Sequence, residues 1–142
     1  QQDMVAVAVG PQIDFGVCAS PDYLARYGRP ASPDELSQHQ CLQLRFPSGA
    51  LFSWEFAHAG NILSIATRGR IVLDDLDMLL QAAAGGLGLC YHYRAHMAPW
   101  LASGQLELVL QDWMPPPERF YLYYPSGRNL PATLRAFIDF FK

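Results

Sequence analysis

The sequence predicts an α/β domain built on a mixed sheet. Three observations predict it. Short β-branched or apolar runs alternate along the chain with helix-start signals, which is the order of strand and helix units packing on one another. One pair of strand-like runs flanks a Gly-Asn turn, so part of the sheet is antiparallel. Finally, 51% hydrophobic and 13% aromatic residues in 142 positions supply enough apolar mass for one core or for two small lobes sharing a hinge.

Met4 to Val9 is β-branched and closed by Gly10-Pro11, and Phe15 to Ala19 follows as a second apolar run; both read as strands. Ser20-Pro21-Asp22 then sets a hydroxyl at an N-cap, proline in the first helical position and a carboxylate near the positive dipole end, predicting a helix over about Pro21 to Tyr27. Ser32-Pro33-Asp34-Glu35 repeats the signal, and Glu35 stands three residues after Ser32, as a capping box requires. Leu42, Leu44 and Phe46 alternate with Gln43 and Arg45, the period of a strand with one wet face. Leu51 to Phe56 and Ile62 to Thr67 form the hairpin around Gly60-Asn61, and Arg70 to Leu73 adds a strand to that antiparallel patch.

From Asp75 to Ala84, Leu76, Leu79, Leu80 and Ala83 share one helical face, with Asp74 or Asp75 as cap and Gly85-Gly86 as stop. Leu87 to Tyr91 reads as a buried strand and His96 to Leu101 as a brief helix. Leu106 to Leu110 and Phe120 to Tyr124 are strands separated by Pro115-Pro116-Pro117. Pro131 opens a terminal helix in which Leu134, Phe137, Ile138 and Phe141 fall on one face. Trp54, Phe56, Trp100, Trp113 and the Tyr121, Tyr123, Tyr124 group are expected mostly in the core, with Tyr91 favoured for a pocket wall.

Several function classes are disfavoured. A net charge of -3 with scattered basic residues lacks the stripe that displaces counterions from nucleic acid. Cys18, Cys41 and Cys90 are three in number, far apart and outside any CxxC, so they are read as small buried apolar groups in a reducing compartment, without disulfide or zinc. His92 and His96 have a spacing a helix turns into a metal pair, but no third ligand accompanies them. Asp74, Asp75 and Asp77 point in different directions at a helix start and suit capping better than acid/base work. GxSxG, P-loop and GxGxxG patterns are absent, so no catalytic residue, metal or cofactor is assigned. No apolar run is long enough to cross a bilayer as a helix, and the start at Gln1 suggests a processed product or a piece of a longer chain.

Several stretches, taken in order, resemble the effector-binding domain of LysR-type bacterial transcriptional regulators. "VCASPDYLARYGRPASPDELSQHQCLQLR" resembles its crossover strand and two capped helices, and "FPSGALFSWEF" its tryptophan-bearing strand. "GRIVLDDLDMLLQAAAGGLGLCY" is similar to its strand, acidic turn, helix and Gly-Leu-Gly strand, while "LASGQLELVLQDW" and "FYLYYPSGRNLPATLRAFIDFF" resemble the return strands and terminal helix.

The resemblance implies a periplasmic-binding-protein-like two-lobe fold with one lobe truncated: residues 1–16 a remnant of lobe one, 17–104 lobe two, and 105–142 the return to lobe one. It implies a small-molecule effector, such as an organic acid, held at a cleft edge by Ala19, Ser20, Pro21, Leu73, Asp74, Tyr91 and His92. It further implies contact with DNA only through an absent N-terminal domain, a homodimeric or homotetrameric parent, a cytoplasmic location and no membrane partner. A periplasmic solute-binding protein of a transporter is the rival reading of the same architecture.

Overall fold

The computed structural model describes residues 4–125 together with Ala132, Arg135 and Ala136. It falls into two units, one holding strands β1 (Met4–Ile13) and β9 (Glu118–Pro125), the other running from Asp14 to Pro116. β1 and β9 pair antiparallel from Met4 opposite Pro125 to Val9 opposite Phe120, with an irregularity before Ile13 meets Glu118. Tyr121 and Tyr123, expected in the core, are instead 49% and 63% exposed on this ribbon. Leu122 and Tyr124 are the more covered positions beside them, an alternation hidden in the sequence because every residue from Phe120 to Tyr124 is apolar or aromatic. Of the expected terminal helix, only Ala132, Arg135 and Ala136 are described, and all three are helical.

The Asp14–Pro116 unit is a five-strand sheet covered on both faces. β2 (Phe15–Ala19) lies between β7 (Cys90–Tyr93) and β8 (Glu107–Val109), antiparallel to both, with Phe15 opposite Tyr93 and Ala19 opposite Glu107. β3 (Gln43–Leu44) pairs with β6 (Val72–Leu73), and this pair is parallel, not part of an antiparallel patch. A parallel bridge from Cys41 to Leu89, closed by Leu42 N–H to the Leu89 carbonyl at 2.8 Å and Leu89 N–H to the Gln40 carbonyl at 2.9 Å, joins β3 to β7. Gly88 permits that approach, since a Cβ there would stand 2.6 Å from the Gln40 carbonyl oxygen. The order is therefore β6-β3-β7-β2-β8, with only β2 reversed. The antiparallel character sits in a separate hairpin, β4 (Trp54–His58) with β5 (Asn61–Ile65), turned by Ala59 and Gly60, both at positive φ as in a type I′ turn.

Strand alternation divides the core. Val17, Ala19, Leu89 and Tyr91 face one side, against Leu36 and the hairpin residues Trp54 and Phe56; Cys18, Cys90 and Leu44 face the other, against α2 (Leu76–Ala84) and α3 (Arg94–Ala102). Because both faces are covered at β3, Gln43 is buried, and of the wet face expected for this strand only Arg45, just past its end, is exposed. The Gln43 amide instead donates to the Thr67 hydroxyl at 2.6 Å.

The first helix, α1, spans Pro21–Tyr27, and the Ser20 hydroxyl accepts from Tyr23 N–H at 3.0 Å. The segment after Ser32 is a 3-10 turn, Pro33–Gln38, and the expected capping box is not made: Ser32 forms no side-chain cap, and Glu35 accepts from Ala31 N–H at 3.2 Å, one residue before the Ser32 N–H the box would use. Asp75 rather than Asp74 caps α2, accepting from Asp77 N–H at 2.9 Å. Gly86, at φ 85, ends that helix in a Schellman motif: Leu87 N–H reaches the Ala82 carbonyl and Gly86 N–H the Ala83 carbonyl. The three cysteines are buried and free.

Candidate functional site

Four of the five strands run the same way, so their carboxyl ends gather on one edge of the sheet. That edge displays Arg45 and Phe46 after β3, Leu73 and Asp74 after β6, His92 and Tyr93 closing β7, and Leu110 after β8. In open α/β sheets ligands settle outside strand carboxyl ends, because helix starts and loop side chains converge there.

Aromatic and imidazole rings line this edge. Phe52 is their centre, with ring centroids 5.5 Å from Phe46, 5.9 Å from Phe15, 4.8 Å from His92 and 6.4 Å from Tyr93. Tyr93 stands edge-on to His92 at 4.5 Å, and His96 on α3 lies 5.6 Å from His92. Phe46 remains 42% exposed, so the group opens to solvent on that side.

His92 is the chemically distinctive member. It is 6% exposed, and its Nδ1 lacks a hydrogen-bond partner among the described residues. Burial, helped by the neighbouring His96, pushes its pKa down to about 4, so the ring is neutral near pH 7. His92 and His96 do form a close pair, yet no group of three metal-competent side chains occurs among the described residues.

The sequence-predicted residues divide between two edges. Leu73, half-buried, and Asp74, exposed, lie on the carboxyl edge with His92. Ala19, Ser20 and Pro21 lie at the other end of β2. His92 is opposite Gly16, and Ser20 is four residues further along the reversed strand, roughly 13 Å away at about 3.3 Å per residue. There Ser20, 3% exposed, caps its own helix, and it borders a shallow groove of about 540 Å³ with Gln81, Trp100 and Gln105. Tyr91 points to the opposite face from His92. It is buried, stacks on Trp54 at 5.4 Å and Phe15 at 5.3 Å, and donates its hydroxyl to the Glu55 carbonyl at 2.8 Å.

Phe15, Phe46, Phe52 and Tyr93 were not singled out from the sequence. Their one local signal was aromatic density at strand ends, which core packing explains equally well.

The chain matches the LysR substrate binding domain family over residues 1–142. It is 42% identical, over all its 142 residues, to 46% of an uncharacterized HTH-type transcriptional regulator, YcaN, of Escherichia coli K12. Among solved structures, 99% of the chain superposes on 47% of the full-length Vibrio cholerae virulence activator AphB, a member of the LTTR family, with a TM-score of 0.71 and 30% identity. It also superposes, over 96% of its length, on 67% of the regulatory domain of CrgA, a LysR-type regulator from Neisseria meningitidis, with a TM-score of 0.66 and 29% identity. The chain thus spans about half the length of the full regulators it matches.

Proposed function

The chain belongs to the LysR substrate-binding domain family, with its periplasmic-binding-protein-like α/β fold, and on that premise we propose that its effector is held at the carboxyl edge of the five-strand sheet, by Leu73, Asp74 and His92 together with Phe46 and Phe52. The observation that carries this reading is the buried, neutral His92 with an unsatisfied Nδ1 in the midst of an aromatic group open at Phe46. A buried polar atom without a partner costs about 1–3 kcal/mol, and that cost falls when a ligand or ordered water supplies the hydrogen bond.

An organic acid suits such a wall with its apolar body on Phe46 and Phe52 and its carboxylate turned to Arg45 on the same edge, away from Asp74. Effector binding shifts the population of domain arrangements in a dimeric or tetrameric cytoplasmic parent, and a DNA-binding domain elsewhere in that parent reads the shift. Catalysis has no part in this reading, because sensing asks only for differential affinity. Relatives named as transcriptional regulators favour it over a transporter's solute receptor. Ala19, Ser20, Pro21 and Tyr91 support the core and the first helix instead of touching effector.

Titration calorimetry of the full-length parent with an organic-acid panel led by benzoate and succinate tests it. Binding that weakens at least tenfold in Phe52→Ala and not in Ser20→Thr is expected. Binding indifferent to Phe52→Ala and His92→Phe would move the site elsewhere.

A further inference from the structure

We propose that the opposite, amino edge of the same sheet carries a second ligand site, one that takes a small organic anion bearing several oxygens, such as a tricarboxylate or a phosphate ester. A cavity of about 710 Å³ lies there, between α1, the end of the 3-10 turn, the approach to β3 and the end of α2. Its size is that of a small-molecule site and exceeds what a single inorganic ion fills.

The lining is dominated by hydrogen-bond donors. Tyr23 is 2% exposed, its oxygen accepts from Gln40 N–H at 3.3 Å, and it lies 2.7 Å from His39 Nδ1. A buried phenol must place its own hydrogen, and His39 Nδ1 is the acceptor in reach. That assignment leaves the His39 proton on Nε2, the ring atom turned away from Tyr23. Burial lowers the pKa of His39, with Glu35 opposing, which agrees with a neutral ring accepting at Nδ1.

Two guanidinium groups complete the wall. Arg68 has no carboxylate within ion-pair distance among the described residues, and Arg26 reaches Asp22 only at 4.0 Å between exposed side chains. So loose a surface pair is worth little and yields readily to a better acceptor. Guanidinium forks match the geometry of carboxylate and phosphate oxygens. At the carboxyl end of α2 the Gln81, Ala83 and Ala82 carbonyls are taken up by Gly85, Gly86 and Leu87 N–H, so these three do not face the cavity unpaired. Asp22 is the one carboxylate in the lining, set against Arg26, Arg68, Ser37 and the His39 donor.

This site is separate from the effector site and stands without it. The test is a titration of the isotope-labelled full chain with citrate, and separately with inorganic phosphate, at constant ionic strength kept by chloride, followed by amide chemical shifts. Saturable shifts at Gln40, Gly86 and Leu87 are expected, with citrate binding more tightly than phosphate. Arg68→Ala and Arg26→Ala, at exposed positions, should each weaken citrate binding about tenfold, and His39→Phe should weaken it without moving the His92 region. Shifts that fail to saturate, that chloride reproduces, or that survive unchanged in the double arginine variant overturn the proposal. So does a response confined to Phe52 and His92.

Discussion

Acid should destabilise the Asp14–Pro116 unit through one identifiable imidazole. His92 carries a folded-state pKa of about 4 against an ordinary 6.5, because burial disfavours its charged form and His96 adds to the effect. As pH falls below 6.5 the unfolded chain takes up a proton on this ring while the folded chain does not. Stability is therefore fully present above the ordinary value and is lost progressively down to the folded pKa. Between about pH 7.5 and about pH 4.5 the loss amounts to about 2.5 kcal/mol. The assay is urea unfolding at both pH values, read by tryptophan fluorescence, since Trp54, Trp100 and Trp113 all lie within this unit. His92→Phe keeps a ring against Phe52 and removes the titration. His39, whose pKa is also lowered, titrates in both proteins and cancels in the comparison. The wild-type chain should lose about 2.5 kcal/mol more than the variant over this interval. Equal losses, within about 0.5 kcal/mol, would refute the assignment of a buried neutral His92.

The glycines at the end of α2 offer a paired test: Gly85→Ala, at φ -76 with its nearest neighbour 3.4 Å away, should be close to neutral, whereas Gly86→Ala, at φ 85, should cost about 1 kcal/mol in thermal or urea unfolding. Gly88→Ala forces a Cβ against the Gln40 carbonyl and should cost more than either, about 2 kcal/mol or above, with loss of protection at the Leu89 amide in hydrogen exchange. Ser20→Ala deletes the hydroxyl that accepts from Tyr23 N–H and should cost about 1 kcal/mol, while Ser20→Asp should recover part of it. All three thiols should resist a thiol reagent in the folded chain and react once urea is added; burial pushes the Cys41 thiol up to about 12, leaving almost no thiolate.

Local chemistry was legible in the sequence; register was not. Ser20-Pro21-Asp22 specifies a helix start through atoms within three residues of one another, and the helix spans Pro21–Tyr27 as read. The same holds for the Gly85-Gly86 stop of α2. The alternation at Leu42 to Phe46 misled because a strand covered on both faces still carries Gln43 when Thr67 can satisfy it. Direction was also hidden: nothing inside residues 70–73 distinguishes a strand parallel to β3 from one antiparallel to it.

That same blindness scattered the predicted site. Leu73, Asp74 and His92 share an edge because β6 and β7 run with β3, and Ser20 lies at the opposite end of the sheet because β2 runs against them. Phe52, at the centre of the edge, sits in no regular element and follows a turn whose geometry the residues around Ser48-Gly49 leave open.

The reversed direction of β2 has a topological result of its own. Chain enters the Asp14–Pro116 unit at Phe15, beside Tyr93, and β8 leaves by running back along β2 toward that same edge. A polypeptide whose two attachment points are neighbours behaves as an insertion. It can be cut out and spliced between other sequences, or rejoined by a short linker and reopened elsewhere, at small cost in loop-closure entropy. The graft boundaries would fall just before Asp14 and just after Pro116.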